Sequence, residues 1–396
     1  MKNNWQTKKI GEVCEFQNGF AFKSKLFKES GNPILRISNI QNDGISYKRL
    51  VFFDKESYKE NFDKYEVLRG DLVIAMSGGT TGKLAICDAD EVFYLNQRVG
   101  KFKPKKDLLN NYLYYFLSTK IEENLKISFG AAQPNLSTEQ IKSLEIPLPA
   151  LPEQQRIVSI LDKALLTIEK AKSNAEKNLK NARELFESYL QSIFEKNTDD
   201  FEQKTLKEVC EKITDGTHQT PKYFDDGFIF LSSKNVTSGK IDWDNIKYID
   251  EKQHNEMHKR VAPKVGDILL AKNGTTGVAA MVDRDVVFDI YVSLAHIRVL
   301  DGIIPEFMLY FINSAVAKKQ FNKRLKGSGV PNLHLQEIRE VIITYPKSKK
   351  EQQIIINKLN ELQTETKKLE AIYQQKINDL EEIKKSILQK AFSGEL

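Results

Sequence analysis

The stretch Arg69-Gly70-Asp71-Leu72-Val73-Ile74-Ala75, followed by Gly79-Thr80-Thr81-Gly82, decides the fold because it occurs twice. It returns as Val265-Gly266-Asp267-Ile268-Leu269-Leu270-Ala271, followed by Gly274-Thr275-Thr276-Gly277. An apolar run that ends in a glycine-rich turn reads as a short buried strand entering a tight loop. Working outward, Thr7-Lys8-Lys9-Ile10-Gly11-Glu12-Val13-Cys14 returns as Gln203-Lys204-Thr205-Leu206-Lys207-Glu208-Val209-Cys210. Pro134-Asn135-Leu136 returns as Pro331-Asn332-Leu333, and Glu153-Gln154-Gln155 as Glu351-Gln352-Gln353. Residues 7–196 therefore recur, with drift, as residues 203–392, and two modules of one fold are expected.

A chain of 396 residues exceeds one ordinary hydrophobic core and has room for two globular units plus extended parts. Lys and Arg outnumber Asp and Glu by 60 to 54, which permits a polyanionic partner without demanding one. Cys14, Cys87 and Cys210 lack paired spacing and read as buried thiols rather than disulfides or metal ligands. Met1-Lys2-Asn3-Asn4-Trp5-Gln6 has no apolar leader core, and no run reaches the ~18 apolar residues of a membrane span. A cytoplasmic location without membrane contact is the expectation.

Each copy has the same internal order, a globular part and then a long helix. Pro33–Ile37 and Asp71–Met76 read as strands, and Leu108–Leu125 as a helix presenting Leu109, Leu113, Phe116, Leu117 and Ile121. In the second copy Pro305 suits a first helical turn, with Phe307, Leu309, Tyr310, Ile312 and Val316 following. The globular parts are α+β. Further on, Ile157, Ala164, Ala171, Asn178, Leu185 and Ser192 alternate at heptad spacing with Leu161, Ile168, Ala175, Ala182 and Tyr189. Ile355, Leu362, Leu369, Lys376, Ile383 and Lys390 do the same with Leu359, Thr366, Tyr373, Leu380 and Ile387. Each run is expected to be a rod of ~60 Å at 1.5 Å per residue. Polar residues on the other faces favour pairing of the two rods over packing on their own globular parts. A local two-fold axis would run the rods antiparallel, with Asn178 and Lys376 as polar intrusions that fix register. Duplex DNA has dyads of its own, so such a molecule suits two separated half-sites.

Two globular regions, each followed by a long helix, resemble the specificity subunit of Type I restriction-modification systems. The first helix is entered through Leu148-Pro149-Ala150-Leu151-Pro152-Glu153-Gln154-Gln155-Arg156-Ile157-Val158, and the second is closed by Leu388-Gln389-Lys390-Ala391-Phe392-Ser393-Gly394-Glu395-Leu396. The resemblance covers essentially the whole chain. It implies an α+β fold of two target recognition domains held apart by an antiparallel two-helix coiled coil. The expected division is residues 1–150 and 198–348 for the recognition domains, with 151–197 and 349–396 for the helices. It further implies a bipartite double-stranded DNA target, two methyltransferase subunits that methylate adenine, and restriction subunits when the system cleaves. The second entry, Tyr345-Pro346-Lys347-Ser348-Lys349-Lys350-Glu351-Gln352-Gln353, keeps one proline and leaves its helix start open.

Catalytic constellations are not legible in the chain. Gly78 to Lys83 is one residue short of a phosphate loop, Leu84 stands in place of its Ser or Thr, and Val278 replaces the lysine in the other copy. His254 and His258 share a helical spacing but lack the metalloprotease order, and read as surface histidines. No cofactor, metal or ATP site is expected, and the chemistry is assigned to partners. DNA contacts should be polar loop residues repeated in position while varying in identity. The candidates are Arg36, Ser38 and Asn39 against Ser233, Lys234 and Asn235, and Ser77, Thr80, Thr81 and Lys83 against Lys272, Asn273, Thr275 and Thr276. To these are added Gln97 and Arg98 against His296, and Gln133 and Asn135 against Asn332. The competing reading is that Asn39 and Asn235 cap turns and the Thr pairs bond their own loop. Lys101, Lys103, Lys105 and Lys106, and Lys318, Lys319, Lys323, Arg324 and Lys326, read as solvated faces or phosphate grips. The functional alternatives are a two-headed scaffold for other ligands and a self-sufficient nuclease or methyltransferase.

Overall fold

In the computed structural model, which describes residues 5–41, 44–128, 136–196, 198–325 and 332–396 (side chains of 121–128 excepted), Leu72–Ala75 is a strand buried on both faces. That two-sided burial explains its unbroken apolar run. Leu72 and Ile74 point into a core shared with helical residues such as Tyr112, Leu113 and Phe116. Val73 and Ala75 point the other way, into a core with Leu35, Phe93 and Leu95. The counterpart Ile268–Ala271 divides its side chains in the same way, Ile268 and Leu270 toward helices and Leu269 toward Phe288 and Ile290.

The chain folds into two compact units, Met1–Ala175 with Gln375–Leu396, and Glu176–Gln374. In the first, one antiparallel sheet has the order Cys14–Asn18, Val99–Pro104, Leu72–Ala75, Leu84–Ile86. A second sheet has the order Val51–Phe53, Asn32–Leu35, Phe93–Leu95, Glu66–Val67, with a parallel central pair. The second unit repeats the first sheet as Cys210–Asp215, Leu294–Val299, Ile268–Ala271, Ala279–Met281, and the second with three strands, Lys247–Ile249, Phe228–Leu231, Phe288–Ile290, again with a parallel pair but without a counterpart of Glu66–Val67 among the described residues. The α+β reading therefore holds in both copies. Cys14, Cys87 and Cys210 are buried free thiols, and burial pushes Cys14 and Cys210 up to about 12.

The first unit carries the helix Asn110–Ser128. Its counterpart begins with Pro305 in the first turn, as read, but is broken into Pro305–Asn313 and Ala315–Arg324. Buried Ser314 makes the break: its hydroxyl donates to the Phe311 carbonyl at 2.6 Å and accepts the Ala317 amide at 3.2 Å, restarting the helix as an N-cap. Val316 thus belongs to a different helix from Phe307.

The long helices are Leu151–Phe194 and Lys349–Ser393. Fully buried Gln154 fixes the start of the first, donating to the Asp107 and Pro149 carbonyls at 2.8 and 2.9 Å and accepting the Leu109 amide at 2.9 Å. Gln352 makes the same three bonds to Gly302, Pro346 and Ile304. The missing prolines of the second entry therefore do not displace its helix start. Within the first unit Lys172 pairs with Glu381, and Leu388 and Ala391 share a core with Ile157 and Leu161, so the helical segments run antiparallel. Within the second, Arg183 pairs with Glu370 at 3.2 Å, and Leu190 packs in a core with Ile356 and Leu359, again antiparallel.

The seam departs from the predicted heptads. Burial follows Ile157, Leu161, Ala175 and Ala182 as expected, but takes Leu179, Leu190 and Ile193 in place of Asn178, Tyr189 and Ser192. Asn178, Leu185 and Ser192 face solvent. In the other helix Lys376, Ile383 and Lys390 are exposed, while Leu388 and Ala391 are buried. Two successive four-residue steps, Ala171 to Ala175 to Leu179, form a stutter that shifts the apolar stripe by one position. Asn178 and Lys376 are accordingly surface residues and fix no register.

Candidate nucleic-acid interface

In each unit four loops converge on one backbone position. The amide of Met76 donates to the Arg98 carbonyl at 2.9 Å, and its carbonyl accepts the Leu136 amide at 2.8 Å. Lys272 repeats this with Ser293 and Leu333, both at 2.9 Å. Thr80 adds the next loop by donating from its hydroxyl to the Ile37 carbonyl at 3.1 Å. In the second unit the Ser233 amide donates to the Ser293 hydroxyl at 2.9 Å, and the Ser233 hydroxyl meets Asn273 Oδ1 at 3.4 Å. The loops that the repeat comparison singled out are thus neighbours in space.

The glycine loop is a hairpin turn. Gly78 and Gly82 have φ of 79° and 83°, and Gly274 and Gly277 have 74° and 88°, a region that favours glycine. The Gly82 amide donates to Ala75 at 2.8 Å, and that of Gly277 to Ala271 at 3.0 Å. This agrees with a strand-connecting loop rather than a phosphate loop.

Several candidate side chains are turned inward and hold the loops instead of facing a ligand. Asn39 is buried, accepting the Arg36 amide at 3.1 Å and donating to the Ser46 carbonyl at 3.0 Å. Asn235 does the same with Ser232 at 2.9 Å and Asn245 at 3.0 Å. Thr81 is buried and bonds the Gly78 carbonyl at 2.6 Å. His296 is fully buried, with Nε2 2.7 Å from Asp267. The reason is register: His296 lies opposite Leu269 as Lys101 lies opposite Val73, and Lys101 bonds Asp71 at 2.9 Å. The structural counterpart of Arg98 is Ser293, and His296 and Lys101 are alternative partners for the aspartate at the same position, Asp267 and Asp71. Burial works to raise the Asp267 carboxyl, but Arg298 and His296 outweigh it and hold it well below the usual range.

Lys272 is buried, with its ammonium 2.7 Å from Asp215. The same carboxylate takes Arg260 at 2.6 Å and His218 at 3.3 Å. Burial would raise the Asp215 carboxyl, and Lys272 and Arg260 bring it down instead. Arg260 and His218 reach the surface beside the converging loops and were missed in the sequence. Asp215 standing where the first copy has Asn18 was the available signal.

Ser38, Gln97, Arg98, Lys234 and Thr275 remain exposed, while Arg36, Ser77, Thr80, Lys83, Ser233, Asn273, Thr276 and Asn332 are half-buried. Ser77 Oγ and Asn332 Oδ1 lack partners among the described residues. Gln133 and Asn135 lie outside the described residues. Of the lysine clusters, Lys101 is occupied by Asp71 and Lys105 bonds the Glu12 carbonyl at 2.8 Å, whereas Lys103, Lys106, Lys318, Lys319 and Lys323 are exposed. Arg324 bonds the Gln320 carbonyl at 3.1 Å, and Lys326 lies outside the described residues. Exposed cations and amides over a glycine turn can bond phosphates and base edges.

His254 corrects the surface reading of the histidine pair. It is buried and stacked on Phe228, with ring centroids 3.8 Å apart and planes 4° apart, and Nδ1 lies 2.6 Å from buried Asp289.

The Type I restriction modification DNA specificity domain matches residues 2–178 and 198–382, and the chain belongs to that family. The alternatives of a ligand scaffold and a self-sufficient enzyme receive no support. The chain is 23% identical to the Type I restriction enzyme EcoKI specificity subunit of Escherichia coli strain K12, across 100% of this chain and 90% of that one. It is 24% identical to the MjaVIII specificity subunit of Methanocaldococcus jannaschii, across 99% and 93%. Its fold is similar to the HsdS subunit from Thermoanaerobacter tengcongensis, with a TM-score of 0.62 at 17% identity, covering 100% and 98%. A chain solved for complex assembly and conformational transition of the type I R-M system gives a TM-score of 0.77 at 18% identity, covering 99% and 98%. Among the described residues, no helix is long and apolar enough to cross a membrane.

Proposed function

We propose that residues 1–150 and 198–348 each read one half of a bipartite duplex DNA target, and that the helices 151–197 and 349–396 set the distance between the half-sites. The chain performs no chemistry of its own. It acts in the cytoplasm, recruiting two methyltransferase subunits and, where cleavage occurs, restriction subunits.

The observation that carries this reading is the repeated backbone hub at Met76 and Lys272, which gathers the same loops in both units while the side chains on them differ. A scaffold kept constant with its readers varied is what two independent sequence readers need. Ser38, Gln97 and Arg98 in one unit and Lys234, Asn273 and Thr275 in the other are the base and phosphate contacts. Asn39, Thr81, Asn235, Lys272 and His296 position those loops from inside.

The test is replacement of residues 1–150 by the equivalent region of a relative, followed by methylome sequencing of a host that also expresses the methyltransferase subunit. One half-site should change and the other persist. A simultaneous change in both would overturn independent reading. Native mass spectrometry should give two methyltransferase subunits per chain at saturation, and a stable one-to-one complex would refute that stoichiometry.

A further inference from the structure

We infer that His254, His258 and Asp289, in the second unit, form a binding site for one divalent transition-metal ion of the zinc class. His254 and His258 sit one turn apart at the helix Glu251–Met257 and its C-cap, so both rings project to the same side. Facing them is Asp289, from the centre of the strand Phe288–Ile290. Its two oxygens lie 2.6 Å from His254 Nδ1 and 3.2 Å from His258 Nδ1, and the three donor atoms all fall within 4.8 Å of one another. Donors bound tetrahedrally at ~2.0–2.1 Å stand ~3.3 Å apart, a separation that lies between the 2.6 Å of the shortest pair and the 4.8 Å that bounds the trio, so side-chain adjustments of about 1–1.5 Å would admit an ion.

Burial strengthens the assignment. Asp289 is 1% exposed and lies opposite Phe230 in the sheet, and a polar group so deeply buried needs partners. The stacking of His254 on Phe228 fixes one ring before any ion arrives. His258 is half-buried, which leaves an outer side for water as a further ligand. Two imidazoles with one carboxylate suit zinc and its first-row neighbours rather than magnesium or calcium.

The first unit supplies an internal comparison. Tyr94 pairs with Ile34 as Asp289 pairs with Phe230, so Tyr94 is the counterpart of Asp289. There the space is filled by Phe22, Phe53 and Phe62, and Tyr94 bonds Glu66 at 3.1 Å. Shared architecture therefore does not require the polar trio; the second copy has it in place of an aromatic cluster. A bound ion would tie the helix Glu251–Met257 to the strand that passes beneath the reading loops.

The test uses the full-length chain, stripped with chelator and titrated with Zn²⁺ alone, with bound metal counted by mass spectrometry and unfolding followed by calorimetry. One equivalent should bind, and an unfolding transition should move to higher temperature, reversibly with chelator. H258Q, at a half-exposed position, should keep the wild-type circular dichroism and weaken zinc binding about tenfold or more. H334Q, at an exposed histidine outside the trio, should bind like wild type. Failure of the wild type to bind zinc, or undiminished binding by folded H258Q, would overturn the site and leave the trio as a proton-mediated brace. D289N should also abolish binding; where it fails to fold, H258Q decides.

Discussion

Gln352 reproduces in the second unit every hydrogen bond that Gln154 makes in the first, each side chain latching a long helix to the loop before its globular helix and to the strand that enters it. Both side chains are fully buried, and removing either amide leaves the buried carbonyl of Pro149 or Pro346 without its partner. Q154A and Q352A should each cost about 1–3 kcal/mol in urea denaturation. A loss below roughly 0.5 kcal/mol, the scale of an ordinary surface change, would show that the latch is ornamental.

Inward-facing and outward-facing loop residues should separate cleanly under mutation. N39A removes a buried cap and should destabilise the chain by about 1 kcal/mol or more. R98A and K234A should leave stability within about 0.5 kcal/mol, because both side chains are exposed. Each should nevertheless weaken DNA binding by the methyltransferase complex and reduce its salt slope by about 1 if it holds a phosphate. Wild-type affinity in either would remove that residue from the interface.

Acid should expose the contribution of Asp267. With Arg298 and His296 beside it, the folded carboxyl is depressed relative to the unfolded value of ~3.9, so its stabilising effect is full above that value and lost as pH falls toward the folded one. The urea midpoint of the wild type should therefore fall more steeply below about pH 4 than that of D267N. Parallel acid limbs would mean that the trio adds nothing to stability.

Spacer length tests the helices as a ruler. Duplicating Leu179 to Ala182 extends one helix by ~6 Å and should lengthen the unread spacer by one or two base pairs, with both half-sites preserved. Methylation mapping that found the original spacer in a folded, active variant would refute the ruler.

Much of this molecule was legible because its sequence carries an internal control. Apolar runs such as Leu72–Ala75 and Ile268–Ala271 announce doubly buried strands, and their recurrence announces two modules. The errors have physical sources. Heptad extrapolation carried Asn178 and Lys376 into the seam because a stutter leaves no mark on composition, only on which residue of each turn is covered. For Asn39 and Asn235 the sequence leaves DNA contact and turn capping both open, because a polar residue in a loop looks alike whether it faces out or closes the loop from within. The sequence places Gln97 and Arg98 only near the equivalent of Leu294 to His296, and it takes strand register to pair His296 with Lys101. The buried state of His254 depends on Asp289, 35 residues away, which no local pattern connects to it.

Residues 375–396 belong to the first unit, although the whole of the second unit precedes them in the chain. Leu388 and Ala391 fill its core, and the ring of Phe392 meets Tyr112 and Phe116 at 5.1 and 5.4 Å. On the ribosome, the earlier-made unit must therefore wait with an open apolar face until the later-made one has been synthesised. A premature stop near residue 375 would spare the contiguous second unit and cripple the first. Nonsense alleles at that point should thus behave as lesions of the first reader.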